Sequence, residues 1–242
     1  MEAISTLQPL DKCKRLLAEI GSFKTQFDVF RFMKRVAEAF GARAFMVMTL
    51  PSRTSQSLAG SSVITNWPPE MIAWYDREGM LTASPVIERL RQSTKPFGYD
   101  VEEIREPKLQ AAVNLFRKFH MDRGAYFPVH DSLGQRGSIS LSGDRDAFSL
   151  DEMAALSYLF VHVFDSLSAL REMDRKPNET LTDREIDCLT WTAAGKTSAE
   201  IAEILSLSEH TVNHYLNRAT KKLDTVNRTQ AVVKAMKTGL IK

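Results

Sequence analysis

Cysteine is scarce in this 242-residue chain: there are two, Cys13 and Cys188, far apart and with no histidine or second cysteine at ligand spacing. That excludes a disulfide framework and a cysteine-based metal site, and it fits a reducing compartment. Glycine is thin as well, and Gly134-Gln135-Arg136-Gly137 lacks the strand-to-helix context that a phosphate-cradling loop requires. No apolar run approaches the ~20 residues needed to span a bilayer, and no cationic-plus-apolar leader opens the chain. The expectation is a protein neither exported nor embedded, cytoplasmic and without a membrane partner. Histidines are few; His120, His130 and His162 fall on different elements, and Asp131 beside His130 lies in a turn where solvent exposure is expected. No catalytic constellation and no metal set emerges, so neither an enzyme nor a cofactor is expected.

What the chain has is length for two compact domains and, at 43% hydrophobic and 26% charged residues, the composition of a globular protein. A helix is predicted from the apolar spacing of Leu7, Leu10, Cys13, Leu16 and Leu17, ending near Gly21. A second follows the Thr25/Asp28 capping signal and stops at Gly41. Strands are predicted at 44–50 and 61–65, then helices from Pro69 to Gly79 and from Pro85 to about Arg91. After a loop, a helix begins near Lys108 and ends before Gly124. A hairpin of strands at 125–130 and 138–142 comes next. Strands clustered between helices predict an α/β fold, an α/β/α sandwich with helices on both faces of a mixed sheet.

Ser149 caps a long helix predicted to run to about Met173, with Met153, Leu156, Phe160, Val163, Leu167 and Leu170 in one stripe that Leu159, Val161 and Phe164 widen. Either it is a central core helix, or it packs on its own sheet with one side and on a second copy of the chain with the other. The charged, proline-containing stretch that follows places a linker at 173–180, between a first domain at 1–172 and a second at 181–242.

The second domain reads as four short helices. Thr182 with Glu185 forms a capping box and Gly195 is a stop; Ser198 can cap the next helix, whose stripe is Ile201, Ala202 and Leu205; Ser208 restarts the chain after a tight turn. Val212, Leu216, Ala219 and Leu223 then recur at helical spacing, which turns Asn213, Asn217 and Lys221 outward. From Glu209 to the end there are seven lysines and arginines against two acids, a local +5, whereas the whole chain carries +2. Basic charge is thus concentrated beside a face of amides, as a helix reading the DNA major groove would need. Periodicity and charge alone leave an ordinary helical bundle with a solvated basic face equally open.

Resemblance separates the two. LTDRE, then W-x3-GKT, EIA, LSLSEHTV and N-R-T-Q-A resemble the C-terminal DNA-binding module of LuxR-type transcription regulators, with Glu185, Leu189, Trp191, Gly195, Lys196, Ile201, Leu205, Thr211, Val212, Leu223 and Ala231 in the family order. The resemblance implies an all-α four-helix helix-turn-helix domain. Lys196, Thr197, Ser198, Thr211, Arg218, Lys221 and Lys222 would mostly hold phosphates. Asn213 and Asn217 would read base edges, with His210 and His214 beside them.

The first domain resembles, more loosely, the autoinducer-binding domain of the quorum-sensing members. The alignment runs without gaps from Trp67 to Tyr99, anchored at Pro85 and at Pro96-Phe97-Gly98-Tyr99, and resumes at Gly124 and Pro128. Trp67, Tyr75, Tyr99 and Gly124 then occupy pocket positions, and Ser140 falls where a small hydroxyl residue faces the ligand. Two positions depart. Ser84 stands where the family usually has an aspartate that accepts the ligand's amide N–H, and Met71 where it usually has a tryptophan that donates to the lactone carbonyl. A neutral hydroxyl accepts more weakly than a carboxylate, and a thioether cannot donate.

Three outcomes stay open: an acyl-homoserine lactone held by fewer bonds, a different ligand, or none. The partners implied are duplex DNA with a roughly palindromic operator, a small-molecule autoinducer, a second copy of the chain or a related regulator, and RNA polymerase. An orphan regulator working without a lactone is the alternative. A phosphoacceptor receiver domain in front of the same module is disfavoured, because strand 44–50 is followed by Pro-Ser-Arg instead of an acidic cluster.

Overall fold

Alternation within single strands decides how the first half of the chain is built. The computed structural model describes residues 7–53, 55, 57–82, 84–174 and 181–241, and the chain divides into two compact units, Met1–Glu172 and Met173–Lys242. In the first, α1 (Pro9–Ile20) and α2 (Gln26–Ala39) precede β1 (Ala44–Thr49). A short α3 (Leu58–Ser61) leads into β2 (Ser62–Thr65), followed by α4 (Pro69–Arg77), α5 (Pro85–Gln92) and β3 (Phe97–Asp100). Two 3-10 turns lead to α6 (Gln110–Lys118), then β4 (Arg123–His130), β5 (Arg136–Gly143) and α7 (Leu150–Asp174).

The five strands form one sheet in the order β2-β1-β5-β4-β3. All four pairings are antiparallel. The sandwich is as expected, but the sheet is not mixed: β4 and β5 are hairpin neighbours, and no helix crosses over between parallel strands. Within the stretch expected as loop after Arg91, Phe97 to Asp100 pair with Tyr126 to Arg123 as an edge strand.

Because side chains alternate across a strand, β1 and β4 each feed two cores. Phe45 and Val47 of β1, Phe127 and Val129 of β4, and Ile139 and Leu141 of β5 pack with α1, α2 and α7. Ala44, Met46 and Met48 of β1 and Tyr126 of β4 face the other way, toward α4, α5 and α6. Ser138, Ser140 and Ser142 alternate with the apolar residues of β5 and so share that second face, opposite Met48, Met46 and Ala44.

The hairpin turn explains Asp131, which is buried rather than exposed. Its Oδ1 accepts from the backbone N–H groups of Leu133 (3.0 Å) and Gln135 (2.8 Å), satisfying donors that the turn would otherwise orphan.

Helix α7 supplies Leu156, Leu159, Phe160, Val163, Phe164 and Leu167 to the first core, while Tyr158 and Val161 stay exposed on its outer side. By length and composition it is apolar enough to cross a membrane, with a mean hydropathy of 1.4 over an 18-residue window within Leu150–Glu172. Serines, His162 and Asp165 interrupt its apolar run. Its burial against the sheet makes it the core helix of this unit. The linker expected at 173–180 falls largely on 175–180, outside the described residues.

In the second unit α8 (Asp183–Ala193), α9 (Ser198–Leu205), α10 (Glu209–Lys222) and α11 (Arg228–Lys237) enclose Cys188, Leu189, Ile201, Val212, Leu216, Ala219, Leu223, Ala231 and Ala235. Each start is capped by a side chain, from Thr182, Thr197, Ser208 and Asn227 in turn. Thr197, not Ser198, caps α9; with Glu200 it forms a capping box, and Ser198 becomes the first helical residue. The turn between α9 and α10 is three residues, begun by Ser206 in a left-handed conformation (φ 55°, ψ 47°).

Candidate functional site

The face of α10 opposite its buried Val212, Leu216 and Ala219 exposes His210, His214, Asn217, Arg218 and Lys221. At about 100° per residue these lie on one side of the helix, so their convergence follows from spacing alone. Thr211 is half-buried, its hydroxyl 2.8 Å from that of Ser208. Lys196 and Thr197, at the start of α9, are exposed, and Lys196 sits 3.1 Å from Glu200.

Three of the expected DNA contacts are turned partly or wholly inward. Ser198 is 8% exposed, and its hydroxyl donates to Oδ1 of Asn213 at 2.8 Å. Asn213 is half-buried in consequence, with one end of its amide engaged inside the protein. The Lys222 side chain is only 8% exposed and reaches Oε2 of Glu185 at 2.9 Å. The structure thus places Lys222 in an internal ion pair and not on the exposed arc of α10. Glu185 is fully buried, and Arg218 Nε lies 3.3 Å from its other oxygen. Burial alone would raise the Glu185 carboxyl; the Thr182 N–H, Lys222 and the Thr182 hydroxyl outweigh it and hold the group below the ordinary carboxylate value.

In the first unit a cavity of about 70 Å³ opens between the second sheet face and α4, α5 and α6, lined by Tyr75, Met80, Ser84, Pro85, Val86, Tyr99, Val101, Ile104, Leu109, Ala112, Val113, Phe116 and Tyr126. Of the eight expected pocket residues, Tyr75, Ser84, Pro85 and Tyr99 line it. No side chain on its wall is charged. Burial pushes the phenols of Tyr75, Tyr99 and Tyr126 up, so they stay neutral donors. Tyr99 spends its proton on the Met121 carbonyl at 2.9 Å.

Trp67, Met71, Gly124 and Ser140 support the cavity rather than line it. Trp67 packs edge-on against Phe116, with ring centres 5.5 Å apart, and Met71 is fully buried in the same core. Gly124 is required because a Cβ there would collide with the Leu141 carbonyl and the Tyr99 ring, which lies across β4. Among the described residues of the first unit, Trp67 Nε1, Ser138 Oγ and Ser142 Oγ are buried without a hydrogen-bond partner. Such groups are costly to leave unmade. Outside the cavity, and sharing Ser84, Pro85 and Leu109 with it, lies a polar hollow of about 320 Å³ that adds Thr82, Glu88, Glu106 and Lys108.

Residues 25–167 match the family model described as an autoinducer binding domain, and residues 179–235 the one described as bacterial regulatory proteins, luxR family. The chain belongs to the LuxR family of transcription regulators. It is 34% identical over 186 residues to the transcriptional activator protein AhyR of Aeromonas hydrophila, covering 72% of this chain and 71% of that one. It is 30% identical over 227 residues to the transcriptional activator protein BjaR1 of Bradyrhizobium diazoefficiens, covering 92% and 93%. Among solved structures, Escherichia coli SdiA superposes with a TM-score of 0.75 at 25% identity over 95% of this chain and 98% of that one. This LuxR-family chain is a regulator and not an enzyme.

Two features of this LuxR-family chain were not found by reading its sequence. The Glu185–Lys222 pair joins residues 37 positions apart, and no local spacing signals it. Arg228, at the start of α11, reaches the Ser198 hydroxyl at 3.4 Å. The capping box marked Glu185 only as a local partner of Thr182. Ser84 also has a local duty, accepting from the Ile87 N–H at 3.4 Å as the cap of α5.

Proposed function

We propose that this LuxR-family regulator acts as a dimer. In this reading the two second units occupy half-sites about one helical turn apart on a roughly palindromic operator. The supporting observation is the exposed face of α10, where His210, His214, Asn217, Arg218 and Lys221 stand opposite a fully apolar buried side. Asn217 reads a base edge, Lys196, Thr197, Arg218 and Lys221 hold phosphates, and His210 and His214 flank the bases. The protein works in the bacterial cytoplasm, on the nucleoid when bound to DNA, with RNA polymerase as the partner that converts binding into altered transcription.

The first unit receives a neutral small molecule, an acyl-homoserine lactone or a related compound, in the uncharged cavity lined by Tyr75, Ser84, Tyr99 and Tyr126. A ligand seen only by the native state stabilises it by RT ln(1 + [L]/Kd). Fluorescence anisotropy on randomised and palindromic duplexes tests the DNA reading, and failure to prefer any duplex over bulk DNA would refute it. Thermal melting with a panel of lactones of different acyl length tests the ligand. A rise in Tm with one member supports it; no shift with any member, alongside unchanged operator binding, rejects it.

A second reading has its own support. The cavity of about 70 Å³ is well below the roughly 300–1,000 Å³ of small-molecule sites, and a serine stands at 84. On that reading the first unit is stable when empty, and the chain is an orphan regulator, as a homodimer or paired with a related regulator.

A further inference from the structure

Ser198, Asn213 and Arg228 come from three different helices of the second unit and meet in one short chain of hydrogen bonds. Arg228 Nη1 donates to Ser198 Oγ at 3.4 Å, and Ser198 Oγ donates to Asn213 Oδ1 at 2.8 Å. The direction of this chain follows from the Asn213 oxygen facing the Ser198 hydroxyl. A guanidinium has donors and no acceptor, so the serine oxygen must accept from it. The single hydroxyl proton then has to go elsewhere, and it goes to Asn213. An amide that receives a proton on its oxygen has its orientation fixed.

We infer that Ser198, polarised by Arg228, sets the base preference of Asn213 by turning its oxygen inward and leaving only the Nδ2 donors for DNA. Among the described residues nothing accepts from Nδ2. Bidentate pairing with adenine needs the amide oxygen to accept from N6 while the nitrogen donates to N7. With its oxygen held by Ser198, Asn213 is matched instead to a base edge that shows acceptors, O6 and N7 of guanine or O4 of thymine. Ser198 is thus a positioning residue, which need not touch DNA to influence what is selected.

This inference rests on the DNA-binding reading above, and the experiment separates the two. Binding-site selection from randomised duplexes is run with the full-length chain and with Asn213→Ala, Ser198→Ala, Ser198→Thr and Arg228→Ala. Circular dichroism melting confirms that each variant is folded. Asn213→Ala identifies the operator position that loses its preference. At that position the parent chain selects guanine or thymine. Ser198→Ala frees the amide to turn and raises adenine there by roughly tenfold, leaving all other positions unchanged. Ser198→Thr, which restores the hydroxyl, restores the parent preference, and Arg228→Ala shifts it in the same direction as Ser198→Ala.

The inference is overturned if the parent chain selects adenine at that position, if Ser198→Ala yields an unchanged preference, or if Asn213→Ala alters no position. If the parent chain selects no sequence at all, the DNA-binding reading itself fails and this inference with it.

Discussion

Lys222 Nζ lies 2.9 Å from Oε2 of Glu185, tying the last turn of α10 to the first turn of α8. Both side chains are out of water, so the pair is costly to break from one side: removing Lys222 leaves the buried carboxylate with Arg218 as its remaining cation. Arg218 Nε, 3.3 Å from Oε1, stays beside the carboxylate, so Lys222→Ala should cost about 1–3 kcal/mol of second-unit stability, and Lys222→Met, with a similar stem and no charge, should lose the same contact to Oε2. Urea unfolding followed by far-UV circular dichroism checks this. A loss below about 1 kcal/mol would mean that the pair behaves as a solvated surface contact.

The same carboxylate predicts a pH dependence. The Glu185 pKa is lower in the fold than its ordinary value of 4.5, so the group stabilises the native state in full above that value. The contribution is lost as pH falls below 4.5 and through the lower folded pKa. Unfolding midpoints of the second unit should therefore drop more steeply between pH 5 and pH 3 in the parent chain than in Glu185→Gln, which keeps an acceptor for the Thr182 N–H but does not titrate.

Exposed residues of α10 should divide by role. Asn217→Ala should relax base preference at one operator position, at a cost of about 1–3 kcal/mol. Lys221→Ala should weaken all duplexes alike and reduce the slope of log K against log salt by about one. Titrations at several salt concentrations with specific and scrambled duplexes distinguish them.

Restoring a carboxylate to the cavity should reveal what it selects. Ser84→Asp can still cap α5, because aspartate is an equally good cap. A charge-assisted acceptor gains on the order of 1 kcal/mol over a neutral one. Calorimetry should show lactone affinity rising about fivefold while the empty protein melts lower, since the new charge is buried with no cation on the cavity wall to offset it. Equal affinity in both proteins would place the amide of the ligand away from residue 84.

Gly124→Ala should destabilise the first unit by about 1–3 kcal/mol, because the added carbon meets a backbone carbonyl that cannot move away and the Tyr99 ring. The companion change Tyr99→Ala should not rescue it, as the Leu141 carbonyl remains. Thermal melting of the single and double variants checks this.

What the sequence disclosed and what it concealed follow from the range of each interaction. Helices and their caps are local: Thr25 with Asp28 and Thr182 with Glu185 were legible from three-residue spacing and appear as capping boxes. The apolar stripe of α10 was equally plain, since a helix repeats within itself. Strand direction is not local, and the antiparallel order β2-β1-β5-β4-β3 was read as mixed because pairing partners lie far apart in the chain. The edge strand Phe97–Asp100 was missed for being four residues long and half exposed. On the α10 side no local spacing signals that Ser198 crosses to Asn213, fifteen residues away, or that Lys222 turns to Glu185. A polar residue one position off the exposed arc of a helix looks like any other until its neighbour in space is known.

The three residues between α9 and α10 carry a last consequence. Ser206 adopts its left-handed turn without being glycine, Leu207 N–H is tied to the Ala202 carbonyl at 2.9 Å, and Ser208 at once caps the next helix. With no slack in that joint and a shared core beneath it, α10 has little freedom to tilt against α9. Ligand control of the kind proposed would therefore act on the pairing and placement of the second units, and not on the shape of the α10 face.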